Sequence, residues 1–237
     1  DRLCGLDDHM YGDLPPHAGI LPRVYVRQMM HGLWFGFHGS PKPQDKLLAV
    51  YDAFERWGRR LGINNVPQLN AAAKQEGIDT LIAMSEAQIE RQLVKLADTI
   101  VSMQPLRRFV LISGPSSAGK TTFSRRLKIH LRILGFQPQA LSMDDFFRDC
   151  CEYPRLADGS YDLESPMPLL SETVKGLLAG KEMPIPSFHF AKGCREWKGR
   201  TMRLRENDIL IMEGIHGLNP LVAQDLAQDE LFRIYVN

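Results

Sequence analysis

The sequence predicts an α/β protein in which a parallel sheet flanked by helices begins at about residue 105, preceded by a smaller helical or α+β region. Three observations predict this class. Short apolar runs, typical of parallel strands covered on both faces, recur after residue 105. A helical pattern separates the first two of these runs, as in a strand–helix–strand unit. The segments before residue 105 show mainly helical spacing.

Composition is that of an ordinary globular protein. Of the 237 residues 44% are hydrophobic and 24% charged, and the net charge of +1 gives no general electrostatic reason to expect DNA or RNA. The four cysteines form no CxxC pair, which argues against zinc, and their interpretation as reduced thiols favours a reducing, cytoplasmic compartment. No apolar run is long enough for a membrane span. The start without methionine and the strand-like end suggest a piece of a longer chain.

Before residue 105 the sequence predicts one strand and three helices. Turn residues and apolar spacing place them, in chain order, over 23–29, 45–60, 68–84 and 85–103. The second helix is expected to break at Gly77, and the third to begin at a capping box of Ser85 and Gln88. The predicted buried stripe of the third helix consists of Ile89, Leu93, Leu96 and Ile100.

After residue 105 the pattern changes to strands that end in glycine or acidic residues. Four apolar runs predict strands over 108–114, 138–145, 207–217 and 232–236. A helix is predicted between the first two strands, with Gly135 as its C-terminal stop. Its buried face is expected to carry Phe123, Leu127, Leu131 and Leu134.

The loop after the first of these strands matches a phosphate-binding motif. Gly114, Gly119, Lys120 and Thr121 fit G-x-x-x-x-G-K-[ST] between a strand and a helix. Glycines let the backbone curl so that successive N–H groups face phosphate oxygens, and the helix N-terminus adds a favourable dipole. The alternative is a Gly/Ser turn with a surface lysine. The sheet is therefore predicted to be of the P-loop NTPase type, with the nucleotide bound by Gly114, Pro115, Ser116, Ser117, Ala118, Gly119, Lys120, Thr121 and Thr122.

Acidic residues end two of the other predicted strands. Asp144 and Asp145 follow one strand, and Glu213 follows another. Because the carboxyl ends of parallel strands meet at one crevice, we expect these acids to lie near the phosphate loop. One could bind Mg²⁺, and one could accept a proton from an attacking hydroxyl. The alternative is a turn or helix-cap role, which is the interpretation favoured for Asp145.

Five segments, in the same order, resemble motifs of the phosphoribulokinase/uridine kinase family. They are "GPSSAGKTTFSRRL" (114–127), "LSMDDFFR" (141–148), "DGSYDLESP" (158–166), "MPIPSFHFAKGCRE" (183–196) and "ILIMEGIHGL" (209–218). The resemblance implies an ATP- and Mg²⁺-dependent kinase of a small hydroxylated acceptor, here a nucleoside such as uridine. The chain is most similar to a bacterial subgroup in which a threonyl-tRNA-synthetase-like region precedes the kinase domain.

The resemblance implies roles for residues at the predicted crevice. Asp144 would be the general base that takes the proton from the acceptor hydroxyl. Lys120 would act on the terminal phosphates during transfer. Mg²⁺ would be held by Thr121, Asp144 and Glu213.

The resemblance also implies an acceptor site formed by Asp162, Phe188, Phe190 and Arg195. Asp162 would hold ribose hydroxyls, Arg195 would approach the acceptor or its phosphate, and the two phenylalanines would line a base pocket. The alternative for the two phenylalanines is a place in the hydrophobic core. Phe147 and Phe188 stand where the family has tyrosines, so fewer polar groups meet the base and the acceptor identity stays open.

The predicted organisation has three parts: a tail of the synthetase-like region, a helical connector and the kinase domain, over 1–60, 61–104 and 105–237. We expect a homo-oligomer. No N-K-x-D guanine motif follows the phosphate loop, which argues against a GTPase. Two functions remain open. One is phosphorylation of a small molecule; the other is an ATP-binding regulatory module whose N-terminal region contacts RNA or a protein.

Overall fold

The chain divides into two compact units, Asp1–Leu81 and Ile82–Asn237, with the division inside a long helix. The computed structural model describes residues 2–3, 6–7, 19, 23–29, 32–36, 45–75, 77–149, 167–222 and 226–236. The two units are described in turn.

The first unit contains two short hairpins and two helices. Its elements are β1 (Arg2–Leu3), β2 (Leu6–Asp7), β3 (Tyr25–Met29), β4 (Gly32–Gly36), α1 (Asp45–Leu61) and α2 (Val66–Gln75). β1 pairs with β2, and β3 with β4, both antiparallel. β3 and α1 confirm the first predicted strand and helix. In the described structure no side chain of α1 or α2 is buried, and Phe54 on α1 is 66% exposed.

The third helix differs from its predicted start. α3 (Ile78–Ser102) begins directly after Gly77, whose φ of +85° separates it from α2. The expected capping box is wrong, because Ser85 lies in the helix interior. The apolar spacing of α3 extends back to Leu81, whose side chain is buried. Packing of this earlier turn keeps Ser85 inside the helix, although serine often marks a helix start. The buried stripe is also shifted, since Ile89 is exposed while Ala97 is buried.

The second unit is built on a four-stranded parallel sheet. Its strands are β5 (Phe109–Ser113), β6 (Gln137–Ser142), β11 (Asp208–Glu213) and β12 (Leu231–Tyr235). Their spatial order is β12-β5-β11-β6, and every neighbouring pair is parallel. All residues of β5 and β11 are buried, as expected for central strands covered on both faces. The predicted α/β architecture is therefore confirmed.

Side chains along the central strands point alternately to the two faces of the sheet, and this divides the core into two layers. Val110 and Ile112 face α3 and α4 (Lys120–Ile133), together with buried leucines of α4. Phe109 and Leu111 face the opposite layer, which includes α5 (Pro168–Leu178). Burying each such side chain stabilises the fold by about 1.5–3 kcal/mol. Leu134, predicted to join the α4 face, is 40% exposed because it follows the last turn.

Smaller elements follow the sheet strands. A 3₁₀ turn (Met143–Phe146) begins directly after β6, so the strand is shorter than predicted and both aspartates lie in the turn. Two antiparallel hairpins are formed by β7 (Met183–Pro184) with β10 (Thr201–Met202), and by β8 (Ser187–His189) with β9 (Cys194–Glu196). Among the described residues, no helix is long and apolar enough to cross a bilayer.

Candidate active site

The candidate site lies where β5, β11 and β6 end. β11 pairs with both of the other strands, and the last residue of β11, Glu213, is in register with Ile112 on one side and Ser142 on the other. The segments that follow these three strands therefore begin side by side. The predicted phosphate loop and the three predicted strand-end acids meet here, as the rule for parallel sheets requires.

The loop that follows β5 has a tightly constrained backbone. A Cβ at Gly114 would lie 2.0 Å from the carbonyl oxygen of Val236, so only glycine fits beside the end of β12. Ser117 and Gly119 have φ values of +64° and +80°. Gly119 is the N-cap of α4 and has no side chain to cap it, so the first backbone N–H groups of the helix are open to an anion.

Lys120 spans the mouth of this loop. Its side chain is buried, and Nζ donates hydrogen bonds to the carbonyl oxygens of Gly114 (3.0 Å) and Pro115 (2.8 Å). The ammonium is thus held over the loop with its positive charge beside the N-terminus of α4. A phosphate chain in the loop would offer this ammonium stronger, charge-assisted partners than the two carbonyls.

A hydrogen bond joins the first turn of α4 to the end of β11. The Thr121 hydroxyl donates to Oε1 of Glu213 at 3.0 Å, and Glu213 is buried. The next residue, Gly214, allows β11 to end close to the turn after β6. A Cβ at Gly214 would lie 2.9 Å from Cβ of Met143 and 3.2 Å from Oδ1 of Asp144. Glycine at this position therefore brings the two acidic residues together.

Asp144 lacks a hydrogen-bonding partner at one carboxylate oxygen. Its Oδ1 atom is buried, and within the described part of the chain no hydrogen-bond donor reaches it. Burial raises the pKa of Asp144, and the negative charge of Glu213 raises it further, while Lys120 and His216 act in the opposite direction. A cation or an acceptor hydroxyl would satisfy this oxygen.

These groups fit a magnesium ion better than a metal held by protein alone. The described residues contain no group of three or more His, Cys, Asp or Glu side chains arranged to hold a metal. Asp144 and Glu213 supply two carboxylates, and Thr121 supplies a hydroxyl bonded to one of them. Mg²⁺ typically takes one or two carboxylates and completes its shell with water and substrate phosphates.

Beside these polar groups lies a set of rings, which we call the aromatic cluster: Phe147, Phe188, Phe190 and His216. The Phe188 and Phe190 ring centroids are 5.1 Å apart, and Phe147 lies 5.7 Å from Phe188 and 6.1 Å from His216, all near edge-to-face. Phe190 is 67% exposed, so it is not a core residue. The cluster offers ring faces and edges to a planar ligand.

Two charged residues beside the aromatic cluster, Arg195 and Asp145, are bonded to the protein itself. Arg195 donates from Nε (3.1 Å) and Nη2 (2.9 Å) to the carbonyl oxygen of Phe147, and its backbone N–H donates to Asp149 at 2.7 Å. Asp145 accepts a hydrogen bond from the backbone of Phe188 at 3.2 Å. Asp145 therefore lies in a turn, and its carboxylate connects this 3₁₀ turn to β8 instead of capping the segment that follows.

The structure brings together Lys120, Thr121, Asp144 and Glu213, as predicted. Arg195 lies at the aromatic cluster, where its guanidinium binds backbone and the residue also lines a cavity of about 310 Å³. Asp162 lies outside the described residues. His216 was not predicted, although it stands three positions after Glu213 in the same post-strand loop. That spacing was the available signal, because a residue so soon after a strand-end acid must lie near the crevice.

Comparisons with known proteins identify one matching family and several similar solved structures. The model of the phosphoribulokinase / uridine kinase family matches residues 109–237. A possible uridine kinase from Bacillus stearothermophilus has 24% sequence identity and a TM-score of 0.48, covering 61% of this chain and 79% of that one. D-glycerate 3-kinase from Cryptococcus neoformans has 18% identity and a TM-score of 0.33, covering 57% of this chain and 52% of that one. No curated protein sequence matches the chain.

Proposed function

The chain belongs to the phosphoribulokinase / uridine kinase family, and on that premise we propose that it transfers the terminal phosphoryl group of ATP to a hydroxyl of a small acceptor. The members for which this family is named are kinases. The observation that carries the proposal is the buried, unpartnered Oδ1 of Asp144, in a cleft shared with Glu213 and Lys120.

The nucleotide would bind by its phosphates in the loop between Gly114 and Thr122. Backbone N–H groups at the start of α4 would donate to phosphate oxygens, and Lys120 would exchange its two carbonyl partners for the terminal phosphates. Mg²⁺, when bound, would neutralise phosphate charge, and Thr121, Asp144 and Glu213 are the residues that would hold it. The protein would contribute positioning and charge stabilisation without a covalent intermediate.

Asp144 would act as the general base. A base must reach the proton that it removes and must have an unoccupied lone pair, and Oδ1 meets the second requirement. Burial and the charge of Glu213 raise the pKa of Asp144 towards the range useful for proton transfer near neutral pH. The carboxylate of Asp145, the next residue, already accepts a hydrogen bond from the backbone N–H of Phe188, so Asp145 would not compete for this role.

We propose a nucleoside, such as uridine, as the acceptor. The aromatic cluster supports this choice because a planar base can contact the rings of Phe188 and Phe190. Asp145 and Arg195 beside the cluster are bonded to the protein, so recognition would depend on shape and ring contact more than on hydrogen bonds from these two residues to the base. Asp162 stays the candidate for binding ribose hydroxyls.

An acceptor panel tests the proposal directly. ADP release from Mg·ATP would be measured with nucleosides, sugars and phosphosugars, and with Lys120→Ala to subtract any contaminating ATPase. Stimulation of ADP release by a nucleoside supports the full proposal, and stimulation only by another acceptor changes the substrate but keeps the kinase. Tight Mg·ATP binding without stimulation by any acceptor would instead identify an ATP-binding regulatory module.

A further inference from the structure

A cavity separate from the candidate active site lies at the end of the sheet opposite the phosphate loop. Its volume is about 630 Å³, and its polar lining consists of Gln137, Gln139, Arg203, Arg205, Glu206 and Asp208. Gln137 and Asp208 are the paired first residues of β6 and β11, whose other ends lead to Asp144 and Glu213. Strands of this length separate the two sites by roughly 17–20 Å.

The two arginines of this cavity are available to a ligand. Arg203 and Arg205 are both exposed, and neither guanidinium has an ion pair or a hydrogen bond within the described part of the chain. Of the two acids, Asp208 already accepts a hydrogen bond from the backbone N–H of Arg205 at 3.0 Å. Gln137 and Gln139 add side-chain amides that can donate to an anion.

A third arginine lies at the same edge of the sheet. Arg108, which directly precedes β5, donates from Nη2 to the carbonyl oxygen of Arg205 at 3.0 Å, and its buried Nε has no partner among the described residues. Its positive charge adds to the charges of Arg203 and Arg205, and a bound anion would pair with these like charges.

We propose that this cavity binds the phosphate group of a small phosphorylated metabolite, at a site separate from the phosphate loop. Guanidinium groups bind phosphate through paired, charge-assisted hydrogen bonds, and two of them with adjacent amides form a complete set of donors. The volume is within the range of small-molecule sites, so the remainder of a sugar phosphate or nucleotide fits beside its phosphate. Because the two sites lie at opposite ends of the strands, a substitution that abolishes binding at one site leaves the other site intact for titration.

Calorimetric titration with inorganic pyrophosphate, using the full chain, distinguishes the sites. The unmodified protein is expected to bind at two sites, and Lys120→Ala is expected to keep the second one. Arg203→Gln combined with Arg205→Gln should weaken that site at least about tenfold, which corresponds to about 1.4 kcal/mol, because a neutral amide cannot replace a charge-assisted hydrogen bond. Arg91→Gln combined with Lys95→Gln, which removes two exposed positive charges of α3, is the matched charge control and should change nothing.

Two results would overturn the proposal. One is the absence of any second binding event at millimolar pyrophosphate; the other is a double variant that titrates like the unmodified protein. Circular dichroism would verify that the double variant is folded. If it is not, Arg203→Lys provides a milder test: lysine keeps the charge but loses the paired geometry, so affinity should fall while the fold is retained.

Discussion

The phosphate loop and the aromatic cluster lie in the same crevice but are built differently. Around the loop, the side chains with proposed catalytic or metal-binding roles are hydrogen-bonded: Lys120 donates to loop carbonyls, and Thr121 donates to Glu213. Around the cluster, Arg195 holds the carbonyl of Phe147, and the ring of Phe190 is exposed. The first region is thus specified by charge and backbone geometry, and the second by shape.

This difference separates how the protein would perform chemistry from how it would choose a substrate. A phosphate needs donors and cations at fixed places, which the loop backbone and α4 provide whatever the acceptor is. Acceptor choice would depend on apolar contact, which discriminates weakly among molecules of similar shape. Changes at the loop should therefore act on turnover, and changes at the cluster on acceptor KM.

The largest effect is expected for Asp144→Asn. The amide keeps the shape but cannot accept the proton, so kcat should fall about 10²–10⁴-fold while Mg·ATP still binds. Asp145→Asn is the matched control, because its amide oxygen can still accept the hydrogen bond from Phe188. Steady-state kinetics and calorimetry measure the two quantities. Equal turnover in both variants would remove Asp144 from the chemistry.

Lys120→Ala is expected to have the next largest effect. Loss of the buried ammonium should lower kcat by about 10²–10³-fold and weaken ATP binding, because no other group replaces its charge at the terminal phosphates. Lys95→Ala, at an exposed position on α3, serves as the control. If Lys120→Ala changed acceptor KM alone, the distinction between the two regions would be wrong.

Gly114→Ala tests whether the loop backbone is as constrained as the structure indicates. A Cβ 2.0 Å from the carbonyl oxygen of Val236 requires the backbone to move, so unfolding free energy should fall by about 3 kcal/mol. Gly135→Ala offers a comparison, since no atom lies within 4 Å and only its φ of +89° is unfavourable. That variant should lose about 1 kcal/mol. Urea denaturation gives both values; equal losses would show that the loop can relax.

Asp144 also gives a pH-dependent stability effect in metal-free protein. Its pKa is raised in the folded state, so the charged carboxylate destabilises the fold above that pKa, and the penalty disappears as the pH falls through it. Asp144→Asn should therefore raise the melting temperature at neutral pH, and the difference should shrink on acidification. Thermal melts in chelator over a pH series measure this. A melting temperature that falls at neutral pH would mean that Asp144 stabilises the fold.

Phe190→Ala should have the smallest effect on the fold. Phe190 is 67% exposed, so stability should change by no more than about 0.5 kcal/mol. Loss of a ring contact should raise acceptor KM by roughly 2- to 13-fold, with kcat nearly unchanged. Ile133→Ala removes an apolar side chain of similar exposure (74%) at the end of α4 farthest from the phosphate loop, so it should leave KM unchanged. A fall in kcat for Phe190→Ala would contradict a role confined to acceptor binding.

Local features explain which expectations were confirmed and which were wrong. Apolar runs identified β5 and β11 because a strand buried on both faces has no polar positions to obscure it. The capping box at Ser85 was misleading, since Ser also occurs inside helices and the burial of Leu81 extends α3 past it. Strand β6 was predicted too long because nothing in the sequence distinguishes a strand end from a 3₁₀ turn.

The sequence by itself determined the parallel α/β class, the phosphate loop, and the acids at the ends of two strands, because these depend on residue type and short spacing. Only the tertiary structure decided that Asp144 keeps an unpartnered oxygen while Asp145 is bonded to Phe188, and that Arg195 binds the Phe147 carbonyl. It also decided that His216 joins the rings and that Arg203 and Arg205 share a cavity. The reason is physical: which partner a polar side chain finds depends on neighbours far apart in sequence, and these become neighbours only when strands pair and helices cover them.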